Sequence, residues 1–210
     1  GMQTISVTDK EFLHKYMTLT KCDLYFADKV IMVEGTTERL LMPRLRELVD
    51  KSLPEHQKLA SQYVTCIEAG GAHAHLFYPL LDFLELKTLV VTDLDSIKKV
   101  EKENNKKKKI NVWEKCPVAE GTRTCNTAIR YWFAPKDIKK IEDFHLSPVE
   151  LLAKTPTDKQ VSCRRIAYQI PEDPNTDVCA RSYEDALILA NLKDFTLPND
   201  CLLYTSDAAD

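Results

Sequence analysis

The sequence predicts an α/β fold: a mostly parallel, Rossmann-like sheet flanked by helices, with an inserted lysine-rich loop and a small helical region. Two apolar runs, and the order of the segments around them, predict it. Val30-Ile31-Met32-Val33-Glu34-Gly35 ends on an acid and a glycine. Leu89-Val90-Val91-Thr92-Asp93-Leu94-Asp95-Ser96 ends on two acids spaced i, i+2. Continuous Val, Ile and Leu character marks strands buried on both faces, as in parallel sheets. Strand and helix patterns alternate around these runs at short spacing, the signature of βαβ units.

The first strand is expected over Lys29 to Glu34. Thr36-Thr37-Glu38 then opens a helix, with Thr36 or Thr37 as its N-cap. Leu40, Leu41, Leu45 and Leu48 would form its apolar face. Pro43 falls inside that pattern, so the helix either kinks or restarts there. Tyr63 to Glu68 reads as the second strand, closed by the turn signal Ala69-Gly70-Gly71. Ala74, Phe77, Leu80, Leu81 and Leu84 make a second helix interrupted at Pro79, and Lys87 to Thr92 is the third strand. After Ser96 the pattern dissolves into seven lysines between Lys98 and Lys109 against Glu101 and Glu103, a solvated loop. A helix carrying Ile129, Trp132 and Phe133 follows, with both aromatics expected in the core. Ile166 to Ile170 is a late strand, Pro171 to Asp177 a loop, and Ser182-Tyr183-Glu184-Asp185-Ala186 starts a last helix capped by Ser182.

At 44% hydrophobic and 29% charged, the 210 residues belong with globular chains rather than disordered or membrane-spanning ones. A net charge of -3 does not suggest a general polyanion binder. The seven cysteines are an odd number with no Cys-x-x-Cys pair, which disfavours a disulfide framework or zinc ribbon and favours reduced thiols in a cytoplasmic protein. No signal-peptide pattern opens the chain. Residues 1–21 read as a lead-in from an upstream domain and residues 22–200 as the folded domain. Cys201 to Asp210 resembles one reading frame of a transposase sequencing adapter, so those residues are expected to be non-native and the domain truncated near Asp200.

In an open parallel sheet, ligands bind beyond the carboxyl ends of the strands. Acids on two such ends would converge, and like charges packed closely need cations between them. Carboxylate oxygens suit hard ions, magnesium or manganese. Glu34 and Glu38 stand four apart across a strand-to-helix junction, and Asp93 and Asp95 share a face if strand geometry persists through Leu94. His73 and His75 beside the Gly-Gly turn read as a helix start with one packed imidazole rather than a metal pair. Cys125 has no histidine partner nearby in sequence and does not read as a nucleophile.

An apolar strand ending in Glu-Gly, followed by a later strand ending in Asp-x-Asp, resembles the Toprim domain. Ala27 to Glu38, Glu68 to His75, Thr92 to Ser96, Cys125 to Ile129 with Trp132, and Arg181 to Ala186 resemble the Toprim half of OLD-family (overcoming lysogenisation defect) ATP-dependent endonucleases. The resemblance runs from about Cys22 to Leu192 in matching order and spacing. It implies metal-binding acids at Glu34, Glu38, Asp93, Asp95 and Glu184, with Ser182 in support, and Glu34, Asp93 and Asp95 as catalytic. It implies DNA as substrate, two magnesium or manganese ions clamping one phosphodiester, ATP used only by an upstream ATPase domain in cis, and a homodimer. The family's C-terminal lysine has no match before Asp200, and no Gly-x-x-x-x-Gly-Lys loop occurs. Lys106, Lys107, Lys108 and Lys109 are candidates for gripping DNA phosphates. Two other readings compete: a haloacid dehalogenase-like phosphotransferase with Asp93 as nucleophile, and a non-catalytic Toprim module that binds DNA or a partner.

Overall fold

The computed structural model describes residues 22–103, 107–173, 176 and 178–194. The expected lead-in over 1–21, Lys106, and the adapter-like residues 201–210 lie outside the described residues. The chain divides into two compact units, residues 1–92 with 156–167, and residues 93–155 with 168–210.

The first unit holds a five-stranded sheet. Its strands are β1 (Lys29–Val33), β2 (Val64–Glu68), β3 (Lys87–Val91), β7 (Gln160–Val161) and β8 (Arg164–Ala167), in the order β2-β1-β3-β8-β7. The first four positions in that order are joined by parallel pairings, and only β7 runs antiparallel at the edge. Ile31 pairs with Cys66 on one side and Leu89 on the other, and Val90 with Ile166. Val30, Met32, Val33, Val90 and Ile166 are buried, as continuous apolar strands require.

Helix α1 spans Thr36–Asp50 and continues through Pro43 as one element. Its N-cap is Gly35, not Thr36 or Thr37. Thr36 is already the first helical residue, and its hydroxyl donates to the Glu68 carboxylate at 3.3 Å instead. Of the expected leucine face, Leu41 and Leu45 are half-buried, and the apolar residue that α1 buries lies between them. Met42 is buried, packing with Ile31, Val33 and Val64, whereas Leu40 is 70% and Leu48 46% exposed. Leu40 lies two residues from Met42, about 200° around the helix, so the side that faces the sheet turns Leu40 away. A 3-10 turn at Ala74–Phe77 runs into α2 (Tyr78–Phe83), whose Pro79 sits in the first turn where no N–H is needed. Arg164 on β8 grips Asp82 of α2 through two hydrogen bonds of 2.7 and 2.9 Å, and its guanidinium lies 4.3 Å over the Tyr78 ring.

In the second unit the lysine-rich segment forms strands rather than the expected loop. β4 (Ser96–Glu103), β5 (Lys109–Lys115) and β6 (Arg123–Thr124) make an antiparallel sheet in the order β5-β4-β6. Val100 and Val112, paired across the strands and half-buried, stand between exposed neighbours, Lys99 and Glu101 on β4 and Asn111 and Trp113 on β5. One apolar row suffices for an antiparallel ribbon, and the lysine count masks it in the sequence. Helix α3 (Thr127–Phe133) is capped by Asn126, α4 (Pro148–Leu152) by Ser147 and α5 (Tyr183–Ala190) by Ser182. Leu94, Ala128, Ile129 and Leu151 are fully buried, and the Tyr168 hydroxyl donates to the Leu151 carbonyl at 2.7 Å. The late strand stops at Ala167, short of Ile170, which is exposed. Among the described residues no helix is long and apolar enough to cross a membrane.

Candidate metal centre

In the first unit, Glu34 directly follows β1 and Thr92 directly follows the adjacent β3. The buried Thr92 hydroxyl donates to Glu34 Oε1, fixing the carboxylate at the carboxyl ends of two neighbouring parallel strands. The Glu34 carbonyl accepts from Gly70 N at 3.0 Å and Gly71 N at 2.9 Å. Both glycines adopt positive φ, 77° and 79°, a region that L side chains rarely enter, so the Gly-Gly turn after β2 is a geometric requirement. Glu38, 6% exposed, turns its Oε2 back to accept from Gly35 N at 3.2 Å. A Cβ on residue 35 would come 3.3 Å from that oxygen, so glycine gives the carboxylate its room. Burial, partly offset by Arg164 and reinforced by the Glu34 charge, pushes the Tyr78 hydroxyl far above its ordinary pKa. Tyr78 therefore stays a neutral donor.

In the second unit, Asp93 and Asp95 sit in a short loop held by Gln169, which the sequence pattern did not single out, and by Asn126 and Arg181, which lie in segments carrying the family resemblance but had no role assigned. Gln169 acts twice: its Nε2 donates to Asp93 Oδ1 at 2.5 Å, and its Oε1 accepts from Leu94 N at 2.7 Å. The fully buried Asn126 donates from Nδ2 to the Asp93 carbonyl at 2.9 Å, while its Oδ1 caps α3 through Ile129 N at 3.1 Å. Arg181 donates from Nη2 to Asp95 Oδ1 at 3.0 Å and from Nε to the Ser96 carbonyl at 3.1 Å. Asp95 has φ 48°, so the condition for a shared face, strand geometry persisting through Leu94, is not met. A non-glycine residue there is strained, and the bonds on both sides of it hold the strain. The Asp95 N–H reaches the Arg181 carbonyl at 3.3 Å, which ties the loop to the residue preceding Ser182. Ser182 accepts from Asp185 N at 3.3 Å as the N-cap of α5, and Glu184 stands exposed in the first turn. Burial of its sulfur first, and the Asp95 charge second, raise the Cys125 thiol.

Among the described residues no three His, Cys, Asp or Glu side chains are gathered as a ready cage for a metal ion. Each of four candidate acids is engaged by a protein donor: Glu34 by Thr92, Glu38 by Gly35, Asp93 by Gln169 and Asp95 by Arg181. The donor set is nonetheless all oxygen, which fits hard divalent ions and not thiolate-seeking ones. His75 Nδ1 lies 3.2 Å from the Ala72 carbonyl at the start of the 3-10 turn, and His73 is exposed. Lys107, Lys108 and Lys109 are exposed, with Lys109 paired to Glu101 at 2.9 Å.

The chain resembles known proteins in two comparisons. Residues 25–95 match the family model of the overcoming lysogenization defect protein-like TOPRIM domain. Endonuclease GajA of Bacillus cereus (strain HuB5-5) is 30% identical over 185 residues, which cover 88% of this chain and 23% of that protein. The chain thus spans about a quarter of the length of this relative. No solved structure matches it. Glu34, Glu38, Asp93 and Asp95 all fall inside residues 25–95, the segment that is similar to the overcoming lysogenization defect protein-like TOPRIM domain.

Proposed function

We propose that this chain is the DNA-cleaving part of a metal-dependent, ATP-dependent endonuclease, and that Glu34, Glu38, Asp93, Asp95 and Glu184 hold its magnesium or manganese ions with Ser182 in support. The observation that carries the reading is the Glu34–Thr92 bond. It fixes an acid at the carboxyl ends of two adjacent parallel strands, and Asp93 is the next residue of the chain. The TOPRIM match and the likeness to a protein named an endonuclease support the same class of activity. When bound, two such ions supply a hydroxide nucleophile and positive charge at the leaving oxygen.

The protein's own residues orient and hold. Thr92 aims Glu34, and Gln169 aims Asp93 while pinning the backbone at Leu94. Arg181 fixes one oxygen of Asp95. Glu34, Asp93 and Asp95 are the catalytic acids in this reading, and the lysines at 106–109 remain candidate contacts to DNA phosphates. An ATPase domain upstream in cis, with ATP acting only there, follows from the family resemblance, and the relative is long enough to hold further domains. A homodimer completes the proposal.

The test is nicking of supercoiled plasmid by the full-length protein with magnesium or manganese. Glu34→Ala and Asp93→Ala should each lower the rate by more than about 100-fold, the loss of roughly 2.7 kcal/mol of charge stabilisation. Undiminished cutting by both variants overturns the assignment.

A further inference from the structure

We propose that the exposed face of the β4–β5 ribbon, built from Lys99, Trp113, Lys115 and Arg123 together with Arg130 of α3, is a binding surface for the phosphodiester backbone of DNA. The choice of DNA as the polyanion rests on the nuclease reading above; the surface itself rests on the ribbon.

Strand pairing sorts the ribbon's cations onto two faces. Lys99 lies opposite Trp113, and Lys115 opposite Ile97, which also pairs with Arg123 of β6. Directly opposed residues share a face, so Lys99, Trp113, Lys115 and Arg123 stand on one side. Lys98 and Lys102 stand on the other, where Glu120 and Glu114 neutralise them. Among the described residues, no ion pair joins Lys99, Lys115, Arg123 or Arg130 to a carboxylate. At the far end of the ribbon, Glu101 already offsets Lys109. The positive charge is therefore concentrated at the root, on one side.

Two features mark this charge as aimed rather than merely solvated. The Arg123 guanidinium stacks 3.8 Å over the Trp113 ring, which is 44% exposed. Trp113 thus works as a rigid shelf that orients a cation. The Nε atoms of Arg123 and Arg130 are buried and have no hydrogen-bond partner. Burial and the nearby Arg130 charge both lower the Arg123 pKa, so two like charges are held close without a compensating acid. Such an arrangement is unfavourable alone and favourable against an anion. Lysine points and a planar guanidinium suit phosphate oxygens. Because Arg123 covers one face of Trp113, the surface reads backbone rather than stacking bases, and it should accept duplex and single strands alike.

The experiment is anisotropy of fluorescein-labelled 30-mers, duplex and single-stranded, titrated with the full-length protein in EDTA across a salt series. Removing two phosphate contacts by Lys99→Ala with Lys115→Ala should flatten the log K against log[salt] slope by about 1.8 for duplex and about 1.4 for single strands. Lys98→Ala with Lys102→Ala, which removes equal charge from the other face, should leave the slope unchanged. Arg123→Lys keeps the charge but loses the stack, and should weaken binding several-fold without changing the slope. An unaltered slope in the first double variant, or an equal loss in the second, overturns the proposal. EDTA separates this from the metal reading: loss of cleavage in Glu34→Ala with normal binding leaves the surface standing. Retained cleavage in that variant sinks the carboxylate assignment alone.

Discussion

Asn126 offers the sharpest test of how the acid-bearing loop is held. Its side chain is fully buried and used at both ends, Oδ1 capping α3 and Nδ2 bonding the Asp93 carbonyl. Asn126→Ala removes the cap, which costs about 1 kcal/mol. It also leaves a part-buried carbonyl without its donor, a further loss of about 1–2 kcal/mol. The sum, about 2–3 kcal/mol, should lower the melting temperature by roughly 5–10 °C for a chain of this size. Asn126→Ser retains a capping oxygen and loses the Nδ2 donor that serves the Asp93 carbonyl and, at 3.5 Å, Asp95 Oδ2, so it should recover about 1 kcal/mol of the deficit. Urea unfolding followed by tryptophan fluorescence reads the relevant unit, because Trp113 and Trp132 both lie in it. Asn126→Ala within 0.5 kcal/mol of wild type, or Asn126→Ser as damaging as Asn126→Ala, would show that the loop is not held this way.

Other substitutions separate structure from chemistry. Arg164→Ala breaks the two-bond grip on Asp82 and the contact with Tyr78, and should cost about 2 kcal/mol, below the usual range for buried pairs because water can reach Asp82; a thermal melt decides. Ser147→Ala should cost about 1 kcal/mol through loss of the α4 cap. The Ser147 backbone N–H, and then its hydroxyl, hold the Glu150 carboxyl below its ordinary 4.5. A depressed carboxylate stabilises above 4.5 and loses that contribution as pH falls through its folded value, so the Ser147→Ala deficit should narrow at pH 3 in urea melts. Burial pushes the Cys179 thiol up to about 11, so maleimide at pH 8 should label Cys179 at least about tenfold more slowly in the folded protein than in urea, read by mass spectrometry.

The parallel sheet was legible because its strands are continuous runs of Val, Ile and Leu, and the acids at their ends were legible because they interrupt those runs. Strand ends at Val33 and Val91 fall within a residue of expectation. The cap of α1 was misread since a threonine caps only from the position before the helix, and here glycine holds that position while Glu38 reaches back. The buried side of α1 was half legible: Leu41 and Leu45 are half-buried beside Met42, whereas Leu40 and Leu48, included because leucine count outweighed geometry, turn outward. Lysine density hid the β4–β5 ribbon, whose single row of half-buried valines alternates in only a few positions. Gln169, Asn126 and Arg181 act on Asp93 and Asp95 across long sequence separations, which periodicity cannot reveal. Asn126 and Arg181 do fall in segments that carry the family resemblance, and Asn126 is a good capping residue ahead of a helix, but nothing local ties either to the Asp-x-Asp loop; Gln169 has no signal of its own.

Titrating manganese into the full-length protein by calorimetry, wild type beside Glu34→Ala, Asp93→Ala and Glu184→Ala, asks most directly whether these carboxylates hold divalent ions. The account predicts saturable uptake of about two ions per chain and a tenfold or greater loss of affinity in each variant, with the native circular dichroism spectrum retained at the titration temperature. Wild-type uptake in all three variants would contradict it.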